Sequence, residues 1–228
     1  MKRVIFVSIS VCTILLFCLT GCGRQPEKNI NDKLNAELEY VEDLIFKIAN
    51  KHAKGEYVEE DKFKWEDIKE DIQKINNTWN TLILDLTEVN VSNQDIIDFS
   101  NDLNDLLISV SKENEVVMLE KLNHMYAKVI VFKESYSENK NQIQKNKIKS
   151  EILSIYALIN KDDYESAKTK IASTIDAYKS MMNDISYAEE NAYNLNKIYV
   201  LLEEFSNSIQ TENYDLIRMK YIVTVENL

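Results

Sequence analysis

Past residue 29 this 228-residue chain contains no proline, no cysteine and a single glycine, Gly55. With every cysteine confined to positions 12, 18 and 22, the bulk of the chain can form no disulfide, cysteine nucleophile or thiolate metal site, so its stability must come from an apolar core. Sheets joined by tight hairpins use glycine and proline in their turns, so the scarcity of both predicts an all-α fold. Phosphate loops and calcium loops need glycine at fixed places, and one glycine cannot supply them. Histidine is limited to His52 and His124, with no His-Glu-x-x-His and no pair of Glu-x-x-His motifs, which leaves no pattern for zinc or di-iron chemistry.

Positive charge is also in short supply. The chain has 27 basic against 38 acidic residues, a net charge of −11. Such a surface repels nucleic acid and anionic headgroups, so no nucleic-acid partner is expected.

What is present begins at the N-terminus. Lys2 and Arg3 precede Val4 to Thr20, a run without charge, proline or glycine, which is the layout of a signal peptide. Seventeen residues would span about 25 Å as a helix, short of the roughly 30 Å hydrocarbon core of a bilayer. The run ends in Leu19-Thr20-Gly21-Cys22, which resembles the lipobox of bacterial lipoproteins: leucine three positions before the cut, a small residue, glycine, and the obligatory cysteine after it. The resemblance implies that Cys22 is the lipid-attachment residue. Its thiol would take diacylglycerol, cleavage would leave it first in the mature chain, and a further acyl chain such as palmitate would complete a stable anchor, each buried methylene contributing about 0.8 kcal/mol. The mature chain would then carry a net charge of −13 and no free thiol. The resemblance covers 22 of the 228 residues and implies an extracytoplasmic location on the cell membrane.

The remainder divides by periodicity. Residues 1–21 read as signal peptide, and 22–29, holding Pro26, as a lipidated tether. Leu34, Leu38, Val41, Ile45, Ile48 and His52 mark one face of a helix from about Asn31 to Lys54. A second, from about Asp61 to Glu88, carries Trp65, Ile68, Ile72, Ile75, Trp79, Leu82 and Leu86. A third starts at Ser92, with Asp95 three residues on as in a capping box, and a fourth follows the break at 112–114 and runs to about Tyr136. Residues 30–136 form a first helical repeat, 137–141 a linker, and 142–228 a second repeat. Shifting 61–129 by 99 onto 160–228 pairs Trp65 with Tyr164, Trp79 with Tyr178, Leu86 with Ile185, Phe99 with Ile198 and Glu113-Asn114 with Glu212-Asn213, with ten identities in 69 pairs. Aromatic positions and polar breaks that keep phase without a gap predict tandem duplication. The expected fold is an antiparallel helical bundle or a short solenoid built from two such repeats.

Chemistry-bearing clusters are sparse. His52 lies on an apolar stripe near a helix end, where histidine caps or packs. His124 adjoins Met125, with Met118 two turns earlier, but neighbours on a helix point about 100° apart and cannot share a metal. Met181-Met182 reads as gap-filling between helices. The acidic pairs Glu59-Glu60, Asp162-Asp163 and Glu203-Glu204 read as solvated faces. Tyrosines crowd the second half, a residue type that suits recognition surfaces. No enzyme activity, cofactor or metal is expected. The function expected is a lipid-anchored interaction module with an envelope protein as partner. The alternative is a lipoprotein holding haem, a metal or an apolar molecule between its helices.

Overall fold

The computed structural model describes residues 30–56, 58–59, 62–137, 139–183 and 185–228; the leader, Cys22 and the tether lie outside the described residues. These form helices α1 (Ile30–Lys54), α2 (Trp65–Glu88), α3 (Asn93–Ser111), α4 (Glu115–Tyr136), α5 (Lys140–Ile159), α6 (Tyr164–Met182), α7 (Ile185–Gln210) and α8 (Tyr214–Val225). The all-α class is therefore as the sequence predicts. One departure is a two-stranded ribbon between α1 and α2, in which β1 (Val58–Glu59) pairs antiparallel with β2 (Lys62–Phe63). Because this ribbon takes residues 62 and 63, α2 begins at Trp65 and not at Asp61.

Each helix lies against the next. In addition, α1 closes on α4 and α5 closes on α8, giving two four-helix units. The units join where α4 meets α5 and α1 meets α8, so α1, α4, α5 and α8 form a central ring with α2–α3 and α6–α7 on either side. The residue pattern explains this placement. In α2 the stripe Ile68, Ile72, Ile75, Trp79, Leu82 and Leu86 is buried on one face, as suits an outer helix. In α4 and α5 neighbouring residues are buried together, Met118 with Leu119, Val129 with Ile130, and Ile155 with Tyr156. A helix apolar on more than one face belongs inside.

After Gly55 ends α1, the chain ends its helices without glycine. Gly55, Asn90, Glu113, Asp162 and Glu212 all adopt left-handed backbone, with φ of 71°, 61°, 56°, 59° and 52°. At Glu113, for example, its N–H donates to the Val110 carbonyl at 3.1 Å, and the Asn114 N–H donates to Ser109 at 2.9 Å. These are the paired bonds of a Schellman end. Only Gly55 occupies that position without a Cβ, and a side chain there costs roughly 1–2 kcal/mol. Glu113→Gly is therefore expected to raise the unfolding free energy by about 0.5–1 kcal/mol, net of the unfolded-chain entropy that glycine adds. Urea denaturation checks it; an unchanged or lower midpoint would mean that Glu113 bears no strain.

Ser92 does not cap as its sequence context suggests. Its side chain makes no cap hydrogen bond, and Asp95 instead pairs with Lys128 of α4 at 2.6 Å, drawn across by the opposite charge on the facing helix. Side-chain caps form at Asn114, Asn139, Asp163 and Asn213, which accept from the backbone N–H of Val117, Gln142, Ser166 and Leu216.

Features recur at the offset of 99. Helices start at Trp65 and Tyr164 and at Glu115 and Tyr214, and end at Ser111 and Gln210. Ser109 Oγ donates to the Leu106 carbonyl and Ser208 Oγ to Phe205, both at 2.7 Å. Lys121 meets Asp105 at 2.7 Å, and Lys220 meets Glu204 at 2.5 Å. One expectation fails. Shifted by 99, the turn at 89–92 would fall at 188–191, but α6 ends at Met182 with Asn183 as its cap, and α7 begins at Ile185. Leu86 thus lies in α2 while Ile185 opens α7, and that polar break does not keep phase. Helix α6 has 19 residues against 24 in α2, and α7 has 26 against 19 in α3. The changes compensate, so register returns in the α3–α4 and α7–α8 hairpins.

Candidate functional site

Two polar clusters and one apolar opening stand out in this scaffold. The first cluster lies within the central ring. Glu42 falls between Leu38 and Ile45 on the inner stripe of α1, and Lys133 follows Val129 by one turn on α4; both are buried. Lys133 Nζ donates to one Glu42 oxygen, and Asn146 Nδ2 of α5 donates to the other at 2.9 Å. Gln142 in turn donates to Asn146 Oδ1 at 3.0 Å. Beside them opens a cavity of about 310 Å³, also lined by Glu39, Asp43, Phe46, Tyr126 and Lys149. Burial raises the Glu42 pKa above its ordinary value by more than the Lys133 charge lowers it. Burial likewise lowers the Lys149 pKa, and the Lys149 ammonium stands 5.7 Å from the centre of the Phe46 ring. A buried pair with its remaining lone pair satisfied ties three helices into one register, a role suited to specifying the fold.

The second cluster lies near the C-terminal ends of α1 and α5. His52 is buried at 7 % exposure, with Nδ1 2.9 Å from the Tyr156 hydroxyl and Nε2 3.0 Å from a Glu115 oxygen. The Tyr156 ring stacks on Tyr221 at 4.2 Å between centres. Burial, the first cause, pushes both phenols well above their ordinary pKa, so neither is a ready proton donor. His52 is thus the packing residue its stripe position implies, pinned by hydrogen bonds from two neighbouring helices.

The opening is at one end of the second unit. Ile148 of α5, Tyr178 and Met181 of α6, Leu195 and Ile198 of α7, and Leu228 line a cavity of about 280 Å³. Lys145 and Lys197 stand at it, with Asn194, Glu226 and Asn227. The Tyr178 hydroxyl donates to the Leu195 carbonyl at 3.1 Å, which holds α6 and α7 together beneath the opening.

The other residues singled out in the sequence fall apart in space. His124 is half exposed, with Nδ1 3.8 Å from an Asp102 oxygen, while Met118 and Met125 are fully buried. The helix turns imidazole and sulfur to different sides, and no metal pair forms from them. Among the described residues no group of three or more His, Cys, Asp or Glu could hold a metal ion, and no helix is long and apolar enough to cross a membrane. Asp163 serves as a cap, and Glu203 and Glu204 bind Tyr199 at 2.5 Å and Lys220 at 2.5 Å. Of the tyrosines, Tyr156, Tyr178 and Tyr221 are core, whereas Tyr193 is 82 % exposed. Residues Tyr57 and Glu60 lie outside the described residues. The Glu42–Lys133–Asn146 cluster escapes a reading by periodicity alone, although two oppositely charged residues on the apolar stripes of two helices are a signal of it. No family, curated protein or solved structure matches this chain.

Proposed function

We propose that this chain is a non-catalytic helical module held by a lipid on Cys22 at the extracytoplasmic face of the bacterial cell membrane, where it binds another envelope protein through a helical face. The anchor rests on the resemblance of Leu19-Thr20-Gly21-Cys22 to a lipobox after a basic and apolar leader. The interaction class is supported by one observation above the others: the second unit has a cavity of about 280 Å³ walled by Ile148, Tyr178, Met181, Leu195 and Ile198 at one end. A cavity with apolar walls offers a seat for an apolar side chain of a partner. The polar clusters support a structural role, because their members bond to one another and hold no aligned nucleophile and base facing a free space.

Photo-crosslinking in the native envelope tests this. A photoreactive residue placed singly at Leu84, Ile108, Asn194 or Lys197, all exposed, is expected to give a discrete adduct with another envelope protein from at least one position. No adduct from any of the four would overturn the reading.

A further inference from the structure

The bonds joining Glu42, Lys133 and Asn146 account for the floor of the cavity of about 310 Å³ in the central ring, but not for its other walls. Helix α4 packs on both α1 and α5, and the cavity opens among the three. Along α1, Glu39 and Asp43 line it one helical turn apart, both exposed to solvent. Lys149 lines it from α5 and Tyr126 from α4. The rings of Phe46 and Tyr126, 5.4 Å apart between centres, supply the apolar part of the lining.

Four polar groups of this lining are left over. The Tyr126 side chain is only 2 % exposed, yet among the described residues its hydroxyl has no hydrogen-bond partner. A buried hydroxyl ordinarily has one. Burial first, and then the charges of Glu42 and Asp43, raise the Tyr126 pKa, so the group keeps its proton at neutral pH and remains a donor. Among the described residues Lys149 makes no ion pair, and its ammonium instead stands 5.7 Å from the centre of the Phe46 ring. Glu39 and Asp43 make none either. Other lysines on these helices do reach carboxylates, Lys47 meeting Asp71 at 3.0 Å and Lys128 meeting Asp95 at 2.6 Å. Here a cation and two anions face one cavity and stay apart.

We infer that this cavity binds a small zwitterion of the α-amino-acid class, whose carboxylate accepts from the Lys149 ammonium and the Tyr126 hydroxyl while its ammonium donates to Glu39 and Asp43. A simple anion would leave the two carboxylates of α1 unanswered, and a simple amine would meet the Lys149 charge. Walls of opposite sign select a molecule that carries both. Ligand sites run from roughly 300 to 1,000 Å³, so a cavity of about 310 Å³ is limited to a molecule about the size of one amino acid. The site shares no lining residue with the opening of the second unit. It therefore goes beyond the partner-binding reading and is tested apart from it.

The probes are the common α-amino acids, each added at millimolar concentration to the full chain in detergent, with the thermal unfolding midpoint followed by circular dichroism and binding by titration calorimetry. At least one is expected to raise the midpoint saturably, since a ligand of the folded chain stabilises it. For that amino acid, the amide, which lacks the carboxylate, and the deaminated acid, which lacks the ammonium, are each expected to bind at least about tenfold more weakly. Tyr126→Phe is expected to weaken binding roughly threefold to tenfold and to leave the ligand-free midpoint unchanged, because it removes a hydroxyl that bonds to nothing in the fold. Lys149→Met is expected to weaken it at least about tenfold. No shift with any of the amino acids overturns the inference. Equal binding by the amide and the deaminated acid also overturns it, since the charges would then play no part, and so does undiminished binding by both protein variants, which would put the ligand elsewhere.

Discussion

Lys133→Met is expected to lower the unfolding free energy by about 3–5 kcal/mol at neutral pH, because it leaves the Glu42 carboxylate buried without its cation. Side-chain exposures of 6 % for Lys133 and 9 % for Glu42 leave little water to take over, and Asn146 alone would remain on the carboxylate. The double variant Glu42→Leu, Lys133→Met is expected to be more stable than the single one, since two apolar residues of similar volume remove the desolvation cost along with the attraction. The pH dependence follows from the direction of the Glu42 shift. Its folded pKa lies above the ordinary 4.5 because burial outweighs the attraction of Lys133. A group raised in this way contributes stability that is complete below its unfolded pKa and lost as pH rises through the folded pKa. Removing Lys133 raises that pKa further, so the deficit of the single variant should be largest near pH 8 and shrink by pH 5. Urea unfolding followed by circular dichroism at both pH values reads this, and a deficit that grows on acidification would contradict the assignment.

Stripe periodicity makes most of the helices legible. Leu34 through His52 outline α1, and Ile96 through Val110 outline α3, because an outer or half-outer helix keeps its apolar residues on one face. The ribbon strands Val58–Glu59 and Lys62–Phe63 carry no glycine or proline to announce them, and residues from Asp61 read as an early start of α2. The break after Met182 is missed for another reason: comparison with the first unit places the break several residues later, and one helix can shorten while the next lengthens without disturbing the apolar register. The buried Glu42 is the clearest lesson. Spacing put it on the stripe between Leu38 and Ile45, yet single-sequence reading treats an acidic residue as solvated unless its partner is known. That partner, Lys133, stands 91 residues away, and only the closure of α1 on α4 brings the two together. The opening at Tyr178 and Ile198 is likewise tertiary, since its walls come from α5, α6 and α7, which are distant in sequence.

Everything proposed about location depends on Cys22. Cys22→Ser is expected to remove lipid attachment altogether, because a serine hydroxyl is a far weaker nucleophile than a thiol at neutral pH and cannot accept the diacylglycerol. The leader would then stay on, and the chain would persist as a heavier precursor. An ordinary signal peptide or a short membrane anchor would be indifferent to this substitution, since neither uses the sulfur. Metabolic labelling with radioactive palmitate, comparing the wild-type chain with Cys22→Ser, is the most direct test: label on the wild type and none on the variant is the predicted result, and continued incorporation into Cys22→Ser would contradict it.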